Sequence, residues 1–303
     1  MQVTFLGTSA ARPTVERNVS SICIAREGET LMFDCGEGTQ RQMMRFGVSF
    51  TLSEIFVTHY HADHYLGIGG LLRTLSLQGR TEPMTLYGPK GAERLLRRSI
   101  ELGVERIAFE VDVKELKSGD RLKRAAYDIV VFPVKHGRDA LGYALVEHER
   151  LGRFDPGKAI EMGIPEGPLW GRLHRGETVK LPDGRDVGAA DLVGPPRSGR
   201  KVVYTGDTRP SEEVVKIADG ADLLIHDSTF GAEEADRAAE TDHSTAVEAA
   251  QIALSARAKR LILNHLSARY SKDFQLLLDQ AREVFPETLV AKDGMKIDVA
   301  YSD

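Results

Sequence analysis

Short apolar runs, most of them followed directly by glycine, aspartate or histidine, recur on both sides of the chain's middle. Val3-Thr4-Phe5-Leu6, Ser21-Ile22-Cys23-Ile24-Ala25, Leu31-Met32-Phe33, Ile55-Phe56-Val57 and Met84-Thr85-Leu86-Tyr87 come first. Ile129-Val130-Val131-Phe132-Pro133-Val134-Lys135, Lys201-Val202-Val203-Tyr204-Thr205, Ala221-Asp222-Leu223-Leu224-Ile225 and Leu261-Ile262-Leu263-Asn264 follow. Their length and their β-branched and aromatic content predict strands. Helical patterns lie between them. Residues 39–47, a glycine-rich stretch Leu66-Gly67-Ile68-Gly69-Gly70-Leu71-Leu72, residues 90–102 and an alanine-rich segment over 244–257 are predicted helices. Arg94, Arg97 and Arg98 read as the solvated face of the helix over 90–102.

Between about residues 147 and 199 the pattern changes. Glycine, proline and charge dominate, as in Gly152-Arg153-Phe154-Asp155 and Gly163-Ile164-Pro165-Glu166-Gly167-Pro168-Leu169-Trp170. A stretch this polar is not expected to build a layer of the core, and it reads as an inserted flexible arm that projects from one domain spanning 1–303.

Composition narrows the classes. The 303 residues are ordinary in apolar and charged content for a globular protein, and long enough for a sizeable core. The amino-terminal Met1-Gln2-Val3-Thr4-Phe5-Leu6-Gly7 reads as a strand and not a signal peptide, and no apolar run reaches membrane-spanning length. Cys23 and Cys35 lack disulfide-framework or zinc-finger spacing, so they are expected to be buried thiols in a cytoplasmic protein. A net charge of -5 argues against general coating of nucleic acid, but not against an enzyme that acts on it through a local site.

The densest chemistry lies in Thr58-His59-Tyr60-His61-Ala62-Asp63-His64, between a predicted strand and a predicted helix. Imidazole nitrogen and carboxylate oxygen suit a borderline-soft divalent metal, zinc first. His136, Asp207 and His265 also come at or just after the ends of strand-like runs. If those strands share a direction, their ends converge on one edge, where open sheets bind ligands. Taken singly, His136 and His265 are ordinary histidines; together with the central stretch they exceed what one tetrahedral zinc can use. Asp34 and Glu37, at the strand end Phe33-Asp34-Cys35-Gly36-Glu37-Gly38, could cap a turn or helix start, and Asp34 is expected to support the histidine loop from behind.

At these residues the chain resembles the metallo-β-lactamase superfamily, through its H-x-H-x-D-H signature, and within it the ribonuclease Z family of tRNA 3′-processing endonucleases. The closer resemblance rests on Phe5-Leu6-Gly7-Thr8, Pro13-Thr14, Arg17-Asn18, Phe33 to Gln40, Thr205-Gly206-Asp207-Thr208-Arg209, His265-Leu266-Ser267-Ala268-Arg269-Tyr270 and the Gly163 to Trp170 segment. It implies an α+β fold, a four-layer αββα sandwich with an inserted arm, and two zinc ions per subunit. His59, His61, His136 and Asp207 would hold one ion; Asp63, His64, His265 and a bridging Asp207 would hold the other. Asp63 would also accept the proton of the attacking water, and His243 would donate one to the leaving 3′ oxygen. Asp227 stands where the family commonly has a glutamate that orients this histidine, and it is one methylene shorter. Ser267 and Arg269 would face the substrate, although a structural salt bridge is also open to Arg269.

The resemblance further implies a cytoplasmic homodimer that acts on precursor tRNA, with residues 147–199 of one subunit gripping the substrate while the other cuts. Arg150, Arg153, Lys158, Arg172 and Arg175 are the arm residues to test. The implied reaction is removal of the 3′ trailer by metal-dependent phosphodiester hydrolysis. A general zinc phosphodiesterase, or another hydrolase of a small substrate on this fold, is the competing enzyme reading. A zinc-bound scaffold without turnover is the third, and the full ligand set together with His243 weighs against it.

Overall fold

The computed structural model describes residues 1–181 and 183–302. In chain order the first half contains β1 (Gln2–Gly7), β2 (Ser21–Arg26), β3 (Glu29–Phe33), α1 (Thr39–Phe46), β4 (Glu54–Phe56), α2 (Ala62–Tyr65), α3 (Ile68–Leu77), β5 (Met84–Gly88), α4 (Ala92–Glu101) and β6 (Val111–Glu115). β7 (Arg121–Lys123), β8 (Tyr127–Pro133) and β9 (Leu141–Glu147) lead into the insertion, which carries α5 (Pro156–Glu161), α6 (Pro168–His174), β10 (Val179–Lys180) and β11 (Asp186–Val187). The chain then returns through β12 (Lys201–Tyr204), α7 (Glu212–Ala218), β13 (Leu223–Asp227), α8 (Ala235–Glu240), α9 (Ala246–Ser255), β14 (Leu261–Asn264), α10 (Gln275–Val284), β15 (Thr288–Val290) and β16 (Lys296–Asp298).

Two seven-stranded sheets result, in the orders β16-β1-β2-β3-β4-β5-β6 and β15-β14-β13-β12-β9-β8-β7. Alternation sends one face of each sheet inward, and the layer between them is closed by Val3, Phe5, Ile129, Val202, Ile225 and Ile262, all buried. Phe56 stacks on Tyr87 with centroids 4.7 Å apart and on Phe33 at 5.1 Å. The outer face of the first sheet packs on α1, α3 and α4 through Met43, Leu71 and Leu96. That of the second packs on α7, α9 and α10 through Val214, Ala249, Ala253 and Leu277. The layering is therefore αββα, as the resemblance implied.

Strand direction aims the loops. In the second sheet β12, β13 and β14 are mutually parallel, and β8 runs the same way because β9 lies antiparallel to both β8 and β12. In the first sheet β3 and β4 are parallel. The loops carrying His136, Asp207 and His265, and the end of β13 carrying Asp227, thus lie at one end of the second sheet, and the loops carrying Asp34 and His59 leave the first together.

The apolar residues of the insertion cluster apart from those of the sandwich. Ala159, Ile164, Leu173, Val179, Leu181, Val187 and Leu192 are buried in a small core of their own, flanked by Phe154 and Trp170. Sparse apolar residues suffice there because two short helices and one hairpin enclose them. At its root, Glu147 is buried and accepts hydrogen bonds from Arg200 Nη2 at 2.7 Å and Arg26 Nε at 2.6 Å. Cys23 and Cys35 are buried and free. No helix among the described residues is long and apolar enough to cross a membrane.

Candidate active site

The tight turn after β3 begins the site. Asp34 has a left-handed backbone (φ +56°), a conformation that only special surroundings hold in a non-glycine residue. Its carboxylate is fully buried and gathers the interior polar groups. Oδ1 accepts from the Thr58 amide at 2.8 Å; Oδ2 accepts from the Tyr204 hydroxyl at 2.8 Å and lies 2.8 Å from His64 Nδ1. This is the supporting position expected for Asp34. The Glu37 side chain is exposed, and α1 begins without a side-chain cap.

His59, His136 and His265 are held by the same principle, one ring nitrogen fixed from outside so that the other points inward. Thr58 Oγ1 lies 3.0 Å from His59 Nδ1, Thr229 Oγ1 2.9 Å from His265 Nδ1, and the Asp242 carbonyl 2.8 Å from His136 Nδ1. Thr58, Thr229 and the Asp242 carbonyl were not singled out from the sequence. A threonine beside a candidate ligand was the available signal for the first; the others come from distant segments.

The inward-facing atoms converge. His59, His61, His136 and Asp207 place ligand atoms within 4.8 Å of one another, as do Asp63, His64 and His265. Asp207 joins the two groups: its Oδ2 is 3.5 Å from His59 Nε2, and its Oδ1 is 3.3 Å from both His64 Nε2 and His265 Nε2. Asp63 Oδ2 is 3.2 Å from His265 Nε2 and accepts the Ala11 amide at 2.8 Å.

Two observations show that this arrangement suits metal ions. His59 Nε2 and Asp207 Oδ1 are buried without a hydrogen-bond partner, which is costly unless something else satisfies them. Imidazole nitrogens also face each other, His61 Nδ1 at 3.1 Å from His136 Nε2 and His64 Nε2 at 3.4 Å from His265 Nε2. Burial and the neighbouring His64 push the His59 pKa well below its ordinary value, leaving a neutral donor. Burial would raise that of Asp207, but His265 and His64 outweigh it and hold the carboxylate ionised. Neutral imidazole and ionised carboxylate are the forms that bind metal. These clusters could hold metal ions.

His243 stands beside them, its ring 4.8 Å from that of His136 and 5.2 Å from that of His265. Its Nδ1 lies 2.9 Å from Asp227 Oδ2, so the shorter carboxylate reaches the ring. Asp227 is itself fixed by the Thr208 and Thr229 amides at 3.0 and 2.9 Å. Burial lowers the His243 pKa, but the charge and hydrogen bond of Asp227 reverse this and lift it to about 9. Arg209 Nη1 donates to the His243 carbonyl at 2.6 Å and to Glu248 at 2.9 Å, tying this segment to the start of α9. Arg209 is a positioning residue that sequence reasoning quoted only as part of a motif.

Ser267 and Arg269 line a cavity of about 590 Å³ with His243, Phe230 and Arg237. Arg269 is paired with Glu234 in this structure, the salt bridge its type left open. His148, His174 and His226 stay outside the clusters, bonded to Asp128, the Gly152 carbonyl and the Asp227 carbonyl respectively.

A family model described as Anti-Pycsar protein Apyc1 matches residues 1–151. A protein named Ribonuclease Z from Gemmatimonas aurantiaca is 58% identical over 99% of this chain and 96% of its own length. Among solved structures, the short form of human tRNase Z is 29% identical, with a TM-score of 0.72 over 99% of this chain and 100% of that one. The metallo-β-lactamase fold protein YhfI from Bacillus subtilis, 19% identical with a TM-score of 0.71 over 98% of each chain, shares the fold. Identity this high, sustained from the first strand to the last, leaves one assignment: the chain belongs to the ribonuclease Z family.

Proposed function

We propose that the chain acts as a metal-dependent endoribonuclease that removes the 3′ trailer from precursor tRNA and leaves a 3′-hydroxyl. The observation that carries the reading beyond family membership is the position of His243: Asp227 holds it, and it sits between the ligand clusters and a cavity lined by Ser267, Arg237 and Arg269. An acid group is thereby placed where a leaving oxygen and a phosphate would meet.

We assign two zinc ions per subunit, with His59, His61, His136 and Asp207 around one and Asp63, His64, His265 and the shared Asp207 around the other. The chemistry they supply when bound is Lewis-acid polarisation of the phosphoryl group and a water nucleophile of lowered pKa. The side chains do the rest. Asp63, steadied by the Ala11 amide, takes the proton of the attacking water. The bond from phosphorus to the ribose 3′ oxygen breaks as His243 protonates that oxygen, so the trailer keeps the phosphate at its 5′ end. Asp227 orients His243 and stabilises its charged form. Ser267 and Arg269 contact the substrate, Arg269 exchanging Glu234 for phosphate.

The projecting segment over 147–199 supports a tRNA-binding role, with a homodimer in the cytoplasm as the working form. Its own small core gives it a defined shape, which suits recognition of a folded RNA better than of a small molecule.

The test is cleavage of an end-labelled precursor tRNA bearing a 3′ trailer, by zinc-loaded protein, by chelated protein and by Asp63→Ala. Metal-dependent cutting that falls by about 10²- to 10⁴-fold in Asp63→Ala is the expected result. A preparation that hydrolyses a small phosphodiester but leaves the precursor intact would make the chain a general phosphodiesterase instead.

A further inference from the structure

A second cavity, of about 320 Å³, opens on the other side of the ligand clusters. It shares no lining residue with the cavity beside His243. Its floor is His59, His61 and His136; its rim carries Lys90, Arg94 and Arg138, with Asp139 as the one acid. The three cations are exposed, and none makes an ion pair or side-chain hydrogen bond among the described residues. Arg94 is thus distinct from Arg97 on the same helix, which is paired with Glu93 at 2.9 Å.

The rim is fixed relative to the ligands. Tyr60, between His59 and His61, donates its hydroxyl to the Pro89 carbonyl at 2.8 Å. Its ring fills the space over Gly88, where an added Cβ would lie 2.5 Å from the hydroxyl oxygen. The loop that delivers Lys90 and the start of α4 is therefore clamped to the histidine loop. Three unpaired cations held over the three histidines of the floor, with one carboxylate among them, form a site for polyanions. The cost of leaving them mutually repelling is recovered when phosphates arrive.

Polarity decides which polyanion. His243 marks the side from which the 3′ oxygen leaves, so the last nucleotide of the tRNA body belongs in the cavity with Phe230 and Arg237. The strand beyond the scissile phosphate has to leave elsewhere, and the cavity across His136 is an opening on that side. We infer that Lys90, Arg94 and Arg138 bind the phosphates of the single-stranded 3′ trailer, an inference that rests on the tRNA-processing reading above. The trailer is then a recognised part of the substrate, and trailer length affects binding.

The experiment compares zinc-loaded wild type, a Lys90→Ala/Arg94→Ala/Arg138→Ala variant and Arg97→Ala on two precursors, one with a single-nucleotide trailer and one with a trailer of about ten nucleotides. The triple variant should raise KM for the long trailer about tenfold and leave the short one within about twofold; Arg97→Ala should change neither. Binding of a 5′-phosphorylated single-stranded oligoribonucleotide, followed by fluorescence anisotropy across a salt series, should weaken in the triple variant. The slope of log Kd against log salt should fall by about 2. Equal loss on both precursors, or none on the long one, would overturn the inference. If wild type cuts neither precursor, the substrate reading fails. The oligonucleotide arm then decides this site alone: unchanged affinity in the triple variant refutes it, and lost affinity upholds it as a single-strand site.

Discussion

At the scale of single residues, the site is built by groups that never touch substrate. Asp34 serves Thr58, His64 and Tyr204 at once, so one carboxylate orders residues from three segments. Asp34→Ala should lower metal affinity by about 10- to 100-fold, read as metal content after dialysis, while far-ultraviolet circular dichroism is unchanged. Full metal retention would show that the histidines are held without it. Asp227 has the other supporting task. Asp227→Asn removes the charge opposite His243 but little volume, so kcat should drop at least about 10²-fold with KM nearly constant. A change confined to KM would place Asp227 in substrate binding.

At the scale of elements, close backbone approach sets the angle of the histidine loop. A Cβ on Gly67 would lie 1.9 Å from the Gly36 carbonyl oxygen, and one on Gly36 would lie 2.3 Å from the Asp63 carbonyl oxygen. The turn after β3 and the junction of α2 with α3 therefore pack backbone to backbone. Gly67→Ala should cost about 1–3 kcal/mol, because neither side can yield without moving Asp63 and His64. Calorimetry would show this as a melting temperature lower by several degrees, and metal content should fall with it; a loss of stability with full metal content would separate the two. The insertion is an element with its own core, and Leu173 is buried in it. Leu173→Ala should cost about 2–5 kcal/mol locally. Amide exchange should then speed up over residues 156–187 while β12 to β14 keep their protection.

At the scale of the whole molecule, charge links stability to pH and to metal. Burial would raise the Glu147 pKa, but hydrogen bonds from Arg200 and Arg26 pull it down to about 2 from an ordinary 4.5. A carboxylate whose pKa is lower when folded stabilises the protein above the unfolded value. That contribution is lost as pH falls from about 4.5 towards 2. Glu147→Gln should therefore flatten the acid limb of a stability-against-pH curve in this window, and an unchanged limb would refute the assignment. Metal removal acts in the same direction. The folded clusters could hold metal and the unfolded chain has no assembled site, so a chelator should lower the melting temperature, by an amount corresponding to about 4 kcal/mol where free metal had stood at a thousandfold excess over Kd.

What the chain declares in its own order is local: short apolar runs, the helices between them, and a histidine and aspartate stretch whose density points to metal. These are readable because strand and helix periodicity and ligand spacing operate within a few residues. Asp227 reaching His243 despite its lost methylene was not readable, since it depends on where β13 ends relative to the loop before α9. Nor was the role of Thr229, the Asp242 carbonyl or Arg209, each set by segments distant in sequence. The small core of the insertion was not readable for a related reason: its few apolar residues lack a strong period, and they form a core only when two helices and a hairpin close on them. Arg94 makes the contrast within one helix. Periodicity places it on the polar face with Arg97, but with Tyr60 clamped to Pro89 it lines a cavity with His59, His61 and His136, which Arg97 does not. Sequence determined which residues could do chemistry; strand direction and backbone approach, which act between distant segments, decided which of them meet.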